Sequence, residues 1–238
     1  MPDTSAASAI RVAPDCSRER RTGCWSGRIC RLTARTALLV ALSGCSTTTI
    51  SLDEGTREYV ADDYETVLKV WTREKELLSV REFDSVLEAT ATYESWDFRW
   101  AYVIRYAEDY RLTVDQRRHL LEAALAETRE HHQFYVAIQA KRVRWSNLKS
   151  DPAAWIVRLI DDAGSETAPS DIEEIARPGA IELTYFPYTT PWRKAFRIRF
   201  PTVRGDGRPT ISANAKWFGL RFAGAQGNDA LIWTLQEG

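Results

Sequence analysis

After Cys45 the sequence contains no cysteine: Cys16, Cys24, Cys30 and Cys45 all fall within the first 45 of 238 residues. A body without thiols forms neither a disulfide nor a thiolate metal site, and it has no cysteine nucleophile. Apolar burial alone has to hold its core. Histidine is scarce too, at three residues. No apolar run approaches the ~18–20 residues that a bilayer-spanning helix needs. Positive charge is not in excess either. Net charge is −1, and residues 1–44 take seven Arg and three acids (Asp3, Asp15, Glu19), which leaves 25 basic against 30 acidic residues in the remainder. With no basic stripe, such a body attracts phosphate backbones poorly, and nucleic acid is excluded as a partner. Gly-x-Ser-x-Gly, His-Glu-x-x-His and Gly-rich phosphate loops are absent. No catalytic residue is assigned, and neither a cofactor nor a metal is expected.

What is present is the profile of a globular domain, 44% hydrophobic and 27% charged, with nine Trp. The length suits one sizeable domain or two small ones. Near the start, Arg28, Arg31 and Arg35 precede Ala37-Leu38-Leu39-Val40-Ala41-Leu42, and the small residues Ser43-Gly44 follow. Charged, then apolar, then small is the order of a secretory signal. Leu42-Ser43-Gly44-Cys45 matches the lipobox of bacterial lipoproteins at all four positions, and the segment resembles the signal of that family. The resemblance implies that residues 1–44 are removed, that the Cys45 thiol is diacylated, and that its new amino group is acylated. Several acyl chains, at ~0.8 kcal/mol per buried CH₂, make a stable anchor where one chain does not. Ser46 stands where the family carries an Asp for inner-membrane retention, which implies an outer-membrane destination where the cell has one. Two other readings are a buried helix with a chance Cys and an Arg-rich organelle transit peptide, against which Asp15 and Glu19 argue. The stretch before Arg28 is longer than a signal usually carries, so the leader is overlong or translation starts later.

Residues 45–54 read as a flexible tether and 55–132 as a helical segment with a possible strand at 83–93. Residues 133–238 read as a β-sandwich. Ser51-x-x-Glu54 has the form of a capping box, and Val60, Tyr64, Val67, Leu68, Trp71 and Leu78 follow helical spacing, which predicts a helix over 55–79. Alternation at 83–93 predicts a strand, with helix a close second. That strand would join the later sheet and make the helices an insertion. Ser95 is the predicted cap of the next helix, buried between layers. Thr113-x-x-Gln116 is the predicted cap of a helix over 114–132 that buries Leu120, Leu121, Ala124, Leu125 and Thr128. Strands are predicted at 134–140, 154–160, 180–186, 194–200, 217–223 and 230–236, separated by turn signals such as Asp162-Ala163-Gly164 and Gly205-Asp206-Gly207. The fold class is α+β, with N-terminal helices packed on a C-terminal antiparallel β-sandwich.

Few residues suggest chemistry. His131-His132 reads as a helix-end pair facing the dipole, not as a metal site. The acid pairs Asp62-Asp63, Asp161-Asp162 and Glu173-Glu174 read as solvated charge rather than glycosidase carboxylates. In "TYFPYTTPWRKAF" (184–196), Pro187 and Pro191 stiffen a bend crowded by Tyr185, Phe186, Tyr188 and Trp192. Either these rings plug the sandwich end, or Tyr185, Tyr188 and Trp192 form a platform for a sugar or a partner protein, with Arg193 beside them. Trp145 and Trp217 read as core. The body, with "YFPY…PW…RIRFP" and the closing "LIWTL", resembles a group of bacterial lipoproteins to which no activity is attached. The expectation is a lipid-anchored envelope protein, a non-catalytic binding or assembly module, held to the membrane through Cys45 and meeting an envelope protein. The alternatives are a polysaccharide-binding module and, further off, a hydrolase.

Overall fold

A computed structural model describes residues 48–79 and 84–236. Cys45 and the segment before it lie outside the described residues. The chain forms β1 (Thr49–Ile50), α1 (Tyr64–Trp71), β2 (Thr72–Ser79), β3 (Asp84–Tyr93), α2 (Trp96–Asp109), α3 (Val114–Glu130), β4 (His131–Ala140), β5 (Ile156–Asp161), β6 (Glu166–Thr167), β7 (Asp171–Ile175), α4 (Ala180–Tyr185), β8 (Lys194–Pro201), β9 (Trp217–Gly224) and β10 (Gly227–Leu235). It is an α+β fold with two five-stranded sheets. Sheet I has the order β1-β10-β9-β5-β6 and sheet II the order β2-β3-β4-β8-β7. All pairings are antiparallel except β1 on β10. Among the described residues no helix is long and apolar enough to cross a membrane.

Two helix starts follow their sequence signals. Ser95 Oγ accepts from the Phe98 amide at 3.1 Å. Thr113 Oγ1 accepts from the Gln116 amide while Gln116 Oε1 accepts from Thr113, closing a capping box. The turns at Gly164 (φ 79°) and Gly207 (φ 77°) use backbone angles that side chains with a Cβ rarely adopt. The strands at β3, β4, β5, β8, β9 and β10 fall where alternation predicts them.

Four expectations are corrected. Residues 55–79 are not one helix. Ser51 Oγ bonds within its own turn to Asp53, so it caps nothing, and the helix begins only at Tyr64 after a 3₁₀ turn at Ala61–Asp63. Beyond Trp71 the chain pairs with β3, from Thr72 opposite Thr92 to Ser79 opposite Asp84 with a register shift after Leu77, and this cross-strand pairing overrides the helix propensity of Glu, Lys and Leu. Residues 180–185 form α4 instead of a strand, because Glu182 Oε2 reaches back 2.8 Å to accept from the Gly179 amide. Of the five α3 residues predicted to be buried, only Leu125 is; the others are half-buried, because one side of α3 faces solvent. The pair His131-His132 opens β4 and does not end α3 with both rings. β2 and β3 precede the two long helices, so α2 and α3 are inserted between neighbouring strands of sheet II.

The core contains side chains from both sheets. Tyr93 of β3 meets Phe218 of β9 edge-on with ring centroids 5.1 Å apart, and Phe134 of β4 lies 5.4 Å from Trp233 of β10. Trp233 also stacks on Phe218 and donates its Nε1 hydrogen to the Trp71 carbonyl at 2.9 Å. The opposite face of sheet II is polar and meets the helices. There Glu94 (5% exposed) and Arg99 (9%) pair at 2.9 Å, Arg99 also meets Glu127 of α3, and Gln133 bridges Glu94 to Arg199. A Trp233→Ala substitution removes rings from three contacts at once and is expected to destabilise the fold by about 3–5 kcal/mol. Urea denaturation reads this, and a loss below 1 kcal/mol on the scale of a surface change would contradict the packing described.

Candidate functional site

A cleft of about 600 Å³ lies on the helical side of sheet II. Tyr64, Glu65, Leu68 and Lys69 of α1 form one wall, while Thr184 and Tyr185 of α4 with Pro187 and Tyr188 form the other. Thr72 and Glu74 of β2 and Thr90 of β3 make the floor, and Arg105 of α2 closes one end. The wall positions follow from the α1 stripe. Tyr64, Val67, Leu68 and Trp71 recur at helical spacing and face inward, and the edge of that stripe borders the cleft.

The hydroxyls of Tyr64, Thr72, Thr90, Tyr185 and Tyr188 are engaged inside the protein. Tyr64 donates to the Tyr185 carbonyl, and Tyr185 donates to Asp109 Oδ2 at 2.9 Å. Thr72 donates to the Leu68 carbonyl, and the Thr92 hydroxyl bonds both Thr72 and Tyr188. Thr90 donates to Glu74 and accepts from Arg193. Burial pushes the Tyr64, Tyr185 and Tyr188 phenols above their ordinary value, with Asp109 raising Tyr185 further. All three stay protonated at neutral pH and serve as donors. Asp109, despite partial desolvation, is held below the usual carboxylate range by bonds from Arg105 and Tyr185. What the cleft offers a ligand is therefore an apolar wall of ring faces, Leu68 and Pro187, with Glu65, Lys69, Glu74 and Arg105 around it.

The four residues proposed for ligand binding are not a row. Tyr185 is 2% exposed and Tyr188 is half-buried; both line the cleft. Arg193 lies behind the floor, with Nη1 on Thr90 at 2.7 Å and Nη2 3.3 Å from Glu74 and Glu88. Trp192 stands apart at 81% exposed. Phe186, their neighbour, stacks on Tyr135 at 3.9 Å and anchors the bend. Reading the sequence missed Tyr64, Leu68, Glu74 and Thr90 as neighbours in one cleft. The first two were visible as a helical stripe, but Glu74 and Thr90 meet only because residues 72–79 are a strand.

The remaining candidates resolve into structural roles. His131 and His132 point to opposite faces, as successive strand residues do, so they cannot share one ion. Among the described residues no group of three or more His, Cys, Asp or Glu is placed to hold a metal. Asp161 is buried, not solvated, and accepts from Ser165 and twice from Ser212, tying two loops together. Glu173 and Glu174 pair with Arg199 and Lys194. Trp145 and Trp217 are half-buried. No family model matches the chain, and no curated protein or solved structure does either.

His132 gives a pH dependence. Its Nδ1 is hydrogen-bonded to the Tyr93 hydroxyl at 2.8 Å. Burial, with a smaller push from His131, lowers its pKa from 6.5 to about 4. The unfolded imidazole takes up a proton as pH falls below its ordinary value, while the folded one stays neutral until about 4. This group's contribution is therefore complete above pH 6.5 and declines toward pH 4, by up to about 3 kcal/mol. Urea midpoints at pH 7.5 and 4.5 measure the decline. His132→Gln should flatten it, and equal pH slopes in both proteins would contradict the assignment.

Proposed function

We propose that the protein is a lipid-anchored component of the cell envelope whose helical-side cleft holds a partner or ligand near the membrane, with no chemistry of its own. In this reading the two sheets form a sandwich, and the helices pack on the outer face of one. The observation that carries the binding reading is the state of the cleft. Its hydroxyls of Tyr64, Thr72, Thr90, Tyr185 and Tyr188 are committed to internal bonds, while an apolar wall remains for a ligand. Apolar clefts of this size with a few convergent polar groups are the usual form of a binding site. Leu42-Ser43-Gly44-Cys45 supports the anchor, and Ser46 after it supports an outer-membrane address where the cell has one.

A polysaccharide-binding alternative depends on exposed aromatics, and Trp192 is the one ring of the bend that offers a full face. A single ring gives stacking without the second contact that fixes a sugar chain. A glycoside hydrolase would need two free carboxylates across a substrate. Glu65 and Glu74 both line the cleft, but Glu74 is turned toward Arg193 and Thr90.

Two changes test this reading. Cys45→Ser should move the protein from the membrane to the soluble fraction of its own cells, and retention in the membrane would contradict the anchor. A photo-crosslinking residue in place of Lys69 should give a discrete adduct that Leu68→Arg abolishes without unfolding the protein. An adduct unaffected by Leu68→Arg would remove the cleft from the account.

A further inference from the structure

Among the described residues the helices leave the outer face of sheet I uncovered. Side chains alternate along β5, β9 and β10, with Val157, Leu159, Phe218, Leu220, Phe222, Leu231 and Trp233 turned inward. The residues between them face out. Register places Ile160, Gly219 and Ile232 in one row across three strands, and Ile156 beside Ala223 in another. Ile156 is 53% exposed and Ile232 37%. Gly219 is flush, since a Cβ there would meet Ile232 Cδ1 at 2.6 Å, so the Ile232 side chain lies across it. The charges on this face are Arg158 and Arg221, side by side, and one acid, Glu166, paired to Arg221. An apolar stripe with a net positive margin fits an anionic lipid surface.

The path of the chain decides the occupant. Arg73 donates from Nε to the Ile232 carbonyl at 2.9 Å and from Nη2 to the Thr48 carbonyl at 3.4 Å. The described chain therefore begins beside Ile232, at the border of the bare face. Cys45 is four residues before Thr49, a span of at most about 14 Å when fully extended. We propose that the outer face of sheet I rests on the membrane surface, with Ile156 and Ile232 against the lipid, so that the cleft on the opposite side of the molecule faces away from the bilayer. The inference rests on the anchor at Cys45, which brings the bilayer within that reach.

The test uses the full chain, purified from membranes with its anchor and returned to vesicles of phosphatidylethanolamine and phosphatidylglycerol. A nitroxide is placed at Ala230→Cys on the bare face or at Ala123→Cys on the exposed side of α3, with the unsubstituted protein as background. Collision rates with a water-soluble nickel chelate are expected to be several-fold lower at 230 than at 123, and rates with oxygen several-fold higher. Ile156→Glu should return the 230 label toward water while the protein stays on the vesicles through carbonate washing. Protein that remains bound with both labels equally open to water overturns the docked face and leaves the anchor standing. Protein removed by carbonate overturns the anchor itself. Protection at 230 with spin–spin broadening between labels assigns the face to a second copy, and that too overturns the proposal.

Discussion

Four rings hold the two sheets together, Tyr93 and Phe134 from one and Phe218 and Trp233 from the other, and the rest of the structure depends on this contact. No cysteine follows Cys45, so nothing covalent closes the layers. Aromatic pairs at these separations contribute about 0.5–1.5 kcal/mol each beyond the area they bury. The cluster reaches outward as well. Trp233 bonds the Trp71 carbonyl, and Trp71 Nε1 in turn donates to Asp97, which also accepts from Arg57 and Tyr59. One chain of contacts thus runs from the inter-sheet core, past the end of α1, to the segment that leads in from β1.

The two sheets treat their outer faces differently, and that asymmetry organises the proposed function. Sheet II turns Thr, Glu, Gln and Arg side chains outward, and these would be costly to bury without partners. The helices supply the partners: Arg99 of α2 and Glu127 of α3 complete a network with Glu94, Gln133 and Arg199. Because α1 stops at Trp71 and the chain turns into β2, the helical cover is incomplete at one edge, and the cleft is the gap. The outer face of sheet I carries Ile156, Ile160, Ala223 and Ile232 with few charges, and among the described residues no helix covers it. A cleft on one side and a bare face on the other give the molecule a direction.

Much of this was legible where local chemistry and tertiary context agree. Ser95 and Thr113 announce α2 and α3 because a hydroxyl three residues before an amide satisfies it in any surroundings. The alternation in "KAFRIRF" announces β8 because one side of it is buried. Local signals mislead where non-local pairing decides. "TREKELLS" has helix-favouring residues, yet Thr72–Ser79 is a strand because β3 lies beside it. "AIELTY" has strand-favouring Ile, Thr and Tyr, yet a Glu182 side chain folded onto Gly179 starts a helix. The cleft inherits both failures, since its floor is β2 and its wall is α4. The rings around Pro187 read from sequence either as a plug or as a platform, and Tyr185 is buried while Tyr188 is half-buried.

The proposed membrane address, the proposed nearness of sheet I to lipid and the outward cleft all depend on the covalent fate of Cys45. Mass spectrometry of the amino-terminal peptide of the mature protein measures that fate directly. The expected peptide begins at Cys45 and carries a thioether-linked diacylglycerol with an acylated amino group. An unmodified peptide that runs through Gly44 and Cys45 would contradict it.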